Sequence, residues 1–259
     1  MYSERFFENL AEEVAAGGGM IYVAPGGSDK GLGTLWSPFA TLLKAKSLLS
    51  ASRKNIALRG GSYVETFDWP SLTGVKIFCL DGDGLASIRG AVGGVNVISV
   101  NPAVATGTWE MTLKGIELSH RTGTVGLQID NAYVAKRMNI YLKNISTNQE
   151  GTGSSIDVNR SGAASDAIRI YADGNGETIE GLVTVISEST DDRFRFKNYR
   201  LIGGFTAVGT IVSEITLISC GLPAAPTVDG AEALSNINCW IETDANPNVY
   251  TALTDHYHT

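Results

Sequence analysis

Two stretches decide the fold of this chain: IYVAPGGSD at residues 21–29 and IALRGGSYVET at residues 56–66. Each begins with a short apolar run, which is typical of a buried strand, and each run leads into a glycine-rich turn. Between them, apolar residues at helical spacing predict a helix from about Pro38 to Leu49, because proline suits the first helical turn. The same spacing predicts an earlier helix over Ser3–Ala16.

Beyond Asn55 the helical spacing disappears, and short runs alternate apolar and polar side chains. Seven runs share an apolar–polar–apolar core, with outer residues Ile116 and Leu118, Ile140 and Leu142, Ile156 and Val158, Val183 and Val185, Tyr199 and Leu201, Ile215 and Leu217, and Ile237 and Cys239. Their first members lie 16 to 27 residues apart, with a mean of about 20, which is typical of a solenoid. We therefore predict that these pairs point inward between the stacked coils of a parallel β-helix.

Asparagine recurs beside the cores, at Asn139, Asn144, Asn198, Asn236 and Asn238. Stacked amide side chains would form ladders between coils. Asparagine also supplies turns, because its side chain tolerates a left-handed backbone. Both interpretations are open at this point.

Many short strands also occur in β-sandwiches and barrels. However, residues 21–29, SPFATL at residues 37–42 and residues 56–66 together resemble the opening of pectate-lyase-like right-handed β-helix proteins. In that superfamily, the opening forms a strand, a loop and a capping helix that close the end of the coil stack, which would otherwise expose its core. The predicted fold is therefore all-β: a right-handed parallel β-helix of about nine coils over residues 55–243. An N-terminal helix, strand and capping helix (residues 1–54) precede it, and a tail (residues 244–259) follows it.

Composition excludes several classes of protein. The chain has 259 residues, 18 % of them charged, with a net charge of −7, and no cluster of Lys and Arg exceeds the short run Arg193–Lys197. A nucleic-acid partner is therefore not expected, and no apolar run is long enough to span a membrane. Met1–Ala16 lacks the apolar segment of a secretory signal, so we expect synthesis and retention in the cytoplasm.

Three cysteines, Cys79, Cys220 and Cys239, cannot form a closed set of disulfides. Each lies in an apolar run that resembles a strand. We predict buried free thiols.

Catalytic candidates are few. The resemblance implies relatives that are polysaccharide lyases or hydrolases, but the chain lacks their Gly-His-Gly, Asn-Thr-Asp and Arg-x-Pro-x-x-Arg motifs. Asp191–Asp192 is the only adjacent acidic pair within the predicted coils, and paired carboxylates serve acid–base chemistry at glycosidic bonds. Its surroundings suggest a solvated loop, where adjacent side chains diverge. We predict no catalytic residues.

Metal and cofactor candidates are also weak. The acidic turns Asp81–Gly84 and Asp173–Glu177 do not match a helix–loop–helix calcium loop, and tight turns explain them. His120 ends a strand and is expected at the surface. His256 and His258 would lie on one face of a strand and could bind a metal on a trimer axis, although a terminal tail explains them equally simply. We predict neither a metal nor a cofactor.

Aromatic residues offer sugar-stacking surfaces. Trp36, Trp69, Trp109, Trp240 and nine tyrosines are the candidates, and ordinary packing accounts for most of them.

Three functions are compatible with these features. The first is a structural or adhesive protein of a bacteriophage-like virion, such as a capsid decoration protein, a head fibre or a small tail spike, made in the host cytoplasm and released by lysis. The second is a polysaccharide lyase or hydrolase with its substrate along the parallel sheet, and the third is a non-catalytic sugar-binding module.

Partners follow from the first function. We expect a homo-oligomer, most simply a trimer, together with other virion proteins and host surface polysaccharide. The apolar stripe Phe6, Phe7, Leu10 and Val14 on the predicted first helix would either dock on the virion or cap the chain's own coils.

Overall fold

The computed structural model describes residues 19–90, 95–103, 107–121, 123–130, 136–150, 152–159, 167–187, 189, 191–209, 214–229, 233–237, 239–242 and 250–252. Over these ranges the protein is all-β, with a single short helix, α1 (Leu42–Lys46), and three sheets of mainly parallel strands. The predicted helix over Ser3–Ala16 and the residues His256 and His258 lie outside the described residues.

The three sheets are named A, B and C in the order in which the chain enters them in its first complete coil. Sheet A contains β1 (Met20–Val23), β2 (Asn55–Leu58), β5 (Val75–Cys79), β8 (Gly107–Lys114), β11 (Lys136–Lys143), β14 (Ala167–Asp173), β17 (Arg193–Lys197), β20 (Glu214–Ile218) and β23 (Ala233–Ile237). Sheet B contains β3 (Gly61–Val64), β6 (Ala86–Arg89), β9 (Ile116–Arg121), β12 (Ser146–Glu150), β15 (Thr178–Ile179), β18 (Arg200–Leu201), β21 (Gly221–Leu222), β24 (Trp240–Glu242) and β25 (Tyr250–Ala252). Sheet C contains β4 (Phe67–Asp68), β7 (Ile98–Val100), β10 (Leu127–Asp130), β13 (Ser154–Asn159), β16 (Leu182–Ser187), β19 (Phe205–Gly209) and β22 (Thr227–Asp229).

From β2 onward the chain passes repeatedly from sheet A to sheet B to sheet C, so that β2, β3 and β4 form one coil and β5, β6 and β7 the next. Each strand pairs in parallel with the strand one coil before and after it, and the antiparallel pair β24–β25 is the exception. This arrangement is consistent with a parallel β-helix. Sheet A already includes β1, which lies before Asn55, where the sequence predicts that the coils start.

The coil length differs from the predicted period of about 20 residues. In sheet A, residues that pair across adjacent coils lie 36 positions apart between Ile77 and Leu113, and only 19 apart between Leu217 and Asn236. The period predicted from the sequence is wrong as a coil length, because the seven apolar cores belong to three different sheets. Ile116 lies in sheet B, Ile140 in sheet A and Ile156 in sheet C, so their spacing measures steps around a coil and between coils together.

Inward and outward positions are as predicted. Ile140, Leu142, Ile215 and Leu217 are fully buried, whereas Thr216 between the last two is partly exposed. Because each coil stacks on its neighbours, the inward residues of successive coils pack together in one continuous hydrophobic core. Cys79, Cys220 and Cys239 are buried thiols that form no disulfide, as predicted.

At the N-terminal end, β1 is the edge strand of sheet A, and the segment that follows it covers this edge. The N–H of Tyr22 donates to the carbonyl of Gly33 (3.0 Å), and the N–H of Phe39 donates to the carbonyl of Tyr22 (2.9 Å). Such cover protects the backbone groups that an edge strand leaves unpaired. Phe39 is therefore extended, and the helix predicted from Pro38 to Leu49 is confined to α1.

Local hydrogen bonds fix the start of α1. Thr41 has an extended backbone, and its Oγ1 accepts a hydrogen bond from the N–H of Lys44 (3.1 Å). The carboxylate of Glu65 accepts from the N–H groups of Leu42 and Leu43 (2.8 and 3.1 Å). These bonds satisfy donors that the first turn of a helix leaves without a partner.

Two of the recurring asparagines lie at the corner where the chain passes from sheet A to sheet B. Asn144 and Asn198 follow strands of sheet A and have left-handed backbones, with φ of 50° and 57°. Their amide nitrogens donate to carboxylates, Asn144 to Asp83 (2.9 Å) and Asn198 to Asp173 (3.1 Å). At these two positions the turn interpretation holds, and each amide bonds to a carboxylate rather than to another amide.

Candidate functional site

The outward face of sheet A carries an ordered set of polar and aromatic side chains. On β8, β11, β14, β17 and β20, alternate residues point away from the core. We call the following residues the sheet A face: Glu110, Thr112, Lys114, Arg137, Asn139, Tyr141, Lys143, Arg169, Tyr171, Asp173, Arg193, Arg195, Lys197, Glu214 and Thr216. Because the strands are in register, these residues form rows that run across the coils.

The central row contains two stacked tyrosines. Tyr141 of β11 pairs with Tyr171 of β14, and Tyr171 pairs with Arg195 of β17. The two phenol rings lie 5.5 Å apart with an interplanar angle of 17°. Burial, and to a lesser extent Glu110 and Tyr171, raises the pKa of Tyr141, so its hydroxyl stays protonated at neutral pH and can donate a hydrogen bond.

An open depression of about 280 Å³ lies at these tyrosines. Its side chains come from adjacent rows and include Tyr141, Lys143, Tyr171, Asp173, Arg195 and Lys197. The depression thus combines two aromatic surfaces with cationic hydrogen-bond donors on a rigid sheet, a combination suited to a polar ligand with apolar faces.

Toward the N-terminal end, the outer face of sheet A is apolar and covered rather than polar and solvent-facing. Ala57, Phe78 and Leu80 are buried there and form a small second cluster, against which Leu35 packs from the loop after β1. The loop therefore covers the first coils, and the polar face begins beyond it.

The adjacent carboxylates Asp191 and Asp192 do not act together. Asp191 is exposed and lies 3.8 Å from the guanidinium of Arg137. Asp192 is fully buried, and its two oxygens accept hydrogen bonds from the N–H groups of Ile168 (2.7 Å) and Ser189 (3.1 Å). The solvated-loop prediction is thus wrong for Asp192, because this carboxylate satisfies buried backbone donors.

The first acidic turn is held by side chains of the protein itself. Asp81 accepts hydrogen bonds from Arg59 (2.9 Å) and from the N–H of Gly60 (2.7 Å), and Asp83 accepts from Asn144 (2.9 Å). Within the described ranges, no group of three or more His, Cys, Asp or Glu side chains could hold a metal ion.

His120 is buried, with 1 % of its surface exposed, so its predicted surface position is wrong. Its Nε2 lies 3.0 Å from Ser155 Oγ, and its Nδ1 lies 3.2 Å from the carbonyl of Thr124. Ser155 Oγ also lies 2.8 Å from Thr147 Oγ1 and accepts from the N–H of Gly181 (2.8 Å). The alternation of β9 ends before the corner to sheet C, where the ring turns inward to meet these polar groups.

This histidine–serine contact resembles a nucleophile and its base, but a substrate cannot reach it. Ser155 is fully buried and His120 nearly so, and backbone groups bond to both. The network is structural, because it satisfies polar groups at a buried corner. Thr147 lies two residues after the buried Ile145, so alternation places this polar residue inward, and that is the sequence signal that could have revealed the network.

The network predicts a pH-dependent stability. Burial lowers the pKa of His120 below its usual value of 6.5, although Thr124 and Glu180 partly oppose this shift. As the pH falls, the imidazole of His120 is protonated in the unfolded chain before it is protonated in the folded chain. The stability of the fold is therefore highest above pH about 6.5 and declines as the pH falls toward the pKa of His120 in the folded state. We expect the urea midpoint to fall between pH 7 and pH 5, and to fall less in His120→Asn. An equal decline in both proteins would contradict the assignment.

Of the three tryptophan side chains that the structure describes, only Trp36 offers an exposed stacking surface. Trp109 and Trp69 are buried, and Trp36 is 82 % exposed. The side chain of Trp240 is not among those that the structure describes. Tyr141 and Tyr171 form a partly exposed aromatic pair, which sequence reasoning did not single out. Each tyrosine lies between two apolar residues, and aligning the two coils thirty residues apart would have placed them side by side.

Comparisons with protein-family models, with curated proteins and with solved structures find no match to this chain. Within the described ranges, no helical segment has both the length and the apolar character needed to cross a bilayer.

Proposed function

We propose that this chain is a right-handed β-helix of the pectate-lyase-like type and a structural or adhesive protein of a bacteriophage-like virion. A capsid decoration protein, a head fibre or a small tail spike would fit. The observation that carries the proposal is the stacked Tyr141–Tyr171 pair beside Arg195 on an outward parallel sheet. A stack of coils holds such groups at fixed spacing without moving parts, as adhesion to a repetitive surface requires.

The cysteines also favour this proposal. All three are buried and none forms a disulfide bond, so the fold does not depend on oxidation. A virion protein folds in the reducing cytoplasm of its host, where disulfides are rare, and reaches the exterior by lysis. Host surface glycan is the proposed ligand, because saccharides present apolar faces to aromatic rings and hydroxyls to charged donors.

A proteomic inventory of particles tests the virion assignment. Cells that carry the gene are induced to lyse, and the lysate is separated on a density gradient. We expect the chain to sediment with capsid and tail proteins at a fixed stoichiometry. A chain found only in the particle-free fraction would refute the assignment.

A second candidate function, polysaccharide cleavage, is favoured by Asp157 on sheet C. Asp157 is partly exposed, and burial raises its pKa, while a hydrogen bond from Gln128 acts in the opposite direction. Gln128 pairs with Asp157 across the coils, and Asp130 lies two residues beyond Gln128 on the same strand. Two carboxylates on one sheet face, one with a raised pKa, are the groups that an inverting hydrolase uses.

We expect no cleavage by the wild-type chain, consistent with a structural role. Release of reducing ends or of unsaturated sugars from bacterial capsule or algal polysaccharide is the measurement. If such release occurred, and Asp157→Asn abolished it while Asp191→Asn did not, the enzymatic function would replace the adhesive one.

We further propose a trimer whose N-terminal end forms the contact. Leu32, Trp36 and Leu43 are 73 %, 82 % and 67 % exposed in the segment between β1 and β2, and apolar side chains so exposed favour association. Light scattering should give the mass of a trimer for the full chain and that of a monomer after Leu32, Trp36 and Leu43 are all replaced by Ser. A full chain that is monomeric at micromolar concentration would contradict this prediction.

A further inference from the structure

Two of the three cysteines lie opposite each other on adjacent coils. Cys220 lies at the corner between β20 and β21, and Cys239 lies at the same corner one coil later, between β23 and β24. Strand β20 pairs with β23 before this corner, and β21 pairs with β24 after it, both at an offset of 19 positions. The two cysteines differ by the same 19 positions. The register is therefore unbroken through the corner and sets Cys220 directly beside Cys239.

The sulfur atoms of this pair meet inside the core. Cys220 is fully buried and Cys239 is 3 % exposed, and both belong to the continuous hydrophobic core. Their thiols are in hydrogen-bond contact with each other. Adjacent parallel strands lie about 4.8 Å apart, which falls within the Cα separation of about 4.4–6.8 Å that a disulfide spans. A bond between the two sulfurs therefore requires side-chain movement but no large displacement of the backbone.

The pair lies where the described coils have short strand pairing. Strand β23 is the outermost strand of sheet A. Among the described strands, sheet B joins these two coils through two residue pairs, Gly221–Trp240 and Leu222–Ile241, whereas β8 and β11 of sheet A pair over eight residues. Elements at an end with few hydrogen bonds open most readily. A covalent link at this corner would hold the coil that opens first.

We propose that Cys220 and Cys239 form a disulfide bond in an oxidising environment, and that this bond fastens the last coil to the coil before it. The oxidant is a small-molecule disulfide such as oxidised glutathione. One cysteine thiolate attacks this disulfide and releases one glutathione, and the second cysteine then attacks the protein sulfur of the mixed disulfide and releases the other. The cysteine pair loses two electrons and two protons, and both pass to glutathione.

The closed fold protects the thiols until the last coil opens. The hydrogen bond with Cys239 and burial raise the pKa of the Cys220 thiol, so this thiol stays protonated in the core at neutral pH. The thiolate is the reactive form, so exchange follows opening of the coil. The chain therefore folds with reduced thiols and forms the bond afterwards. This order suits a protein that is made in the cytoplasm and released by lysis, but the chemistry itself requires only the oxidant.

Peptide mapping of the full chain tests the bond. The reduced protein is incubated with oxidised glutathione, with and without urea below the unfolding midpoint. Remaining thiols are blocked, and the chain is cleaved after glutamate without reductant. Glu232 lies between Cys220 and Cys239, so after cleavage only a disulfide holds the two peptides together. We expect the joined peptides, lighter by two hydrogens than the two reduced peptides combined, and we expect faster formation in urea.

Thermal unfolding of the same samples tests the effect on the fold. Oxidation should raise the unfolding temperature by roughly 5–10 °C, because the bond closes a loop of about 20 residues in the unfolded chain. Cys239→Ala should abolish both the joined peptides and this shift. Cys79→Ala is the matched control, because it removes the buried thiol of β5, far from this corner in sheet order. It should retain the joined peptides and the shift.

Three results would overturn the proposal. Separate peptides after oxidation, whether reduced or carrying glutathione, would show that the two sulfurs do not reach each other. A link that forms only above the unfolding midpoint would show that the native register does not bring the cysteines together. Disulfide-linked dimers in place of the internal link would put the reactive thiols at a contact between copies. The particle inventory does not depend on these measurements, so this proposal and the virion assignment can fail separately.

Discussion

Replacing Ile140 by Asp should prevent the chain from folding into a soluble protein. Ile140 is fully buried at the centre of β11, and it pairs with Met111 below and Ile170 above, which are also fully buried. A carboxylate at this position would have no partner between the coils. Burial of an unpaired charge costs several kcal/mol, roughly 3–5 kcal/mol when it cannot be relieved. Such a loss is a large part of the total stability of a domain.

Two controls accompany this variant. Ile140→Val removes one methylene and should cost about 1 kcal/mol, which tests packing without charge. Thr216→Asp introduces the same carboxylate at an outward position of sheet A, next to Arg195, and should cost little. Soluble yield and urea midpoints are the measurements. Similar midpoints for Ile140→Asp and Thr216→Asp would mean that the inward register of sheet A is wrong.

Replacing Gly203 by Ala should destabilise the chain by roughly 3 kcal/mol, at the upper end of the overpacking range. A Cβ atom on Gly203 would lie 2.2 Å from the carbonyl carbon of Gly181 and 2.5 Å from the nitrogen of Leu182. These neighbours are backbone atoms of the preceding coil, so no side chain can move to make room. The coils would have to separate at this corner, which breaks parallel hydrogen bonds nearby.

Gly26→Ala is the matched control. Gly26 is exposed, and a Cβ atom there would meet no atom within 4 Å. The two variants make the same chemical change, so a difference in their urea midpoints isolates the collision. Equal urea midpoints for Gly203→Ala and Gly26→Ala would show that the corner between sheets B and C is packed less tightly than the structure indicates.

Part of the candidate site was predictable from local sequence. The Ile140-Tyr141-Leu142 and Ile170-Tyr171-Ala172 runs alternate between inward and outward positions, so each tyrosine is outward by pattern alone. The contact between the two tyrosines was not predictable, because it depends on which residues of adjacent coils pair. A shift of one residue would turn either tyrosine into the core.

The side chains whose positions were mispredicted lie at corners. His120 and Asp192 are polar, and polar residues at strand ends and in loops are usually solvated. Both are buried because the corners of stacked coils leave backbone and hydroxyl groups in the interior, and these groups need hydrogen-bond partners. The need arises from atoms of a neighbouring coil, about which the local sequence carries no signal.

The sequence by itself determined the short strands, the inward and outward alternation and the buried thiols. Each follows from the conformational preference or polarity of a few neighbouring residues. Only the tertiary structure decided the coil lengths, the left-handed turns at Asn144 and Asn198, the stack of Tyr141 on Tyr171 and the close contact of Gly203 with Gly181. The physical reason is that coils of 19 to 36 residues bring distant segments into register through hydrogen bonds between strands, and loop length does not specify that register.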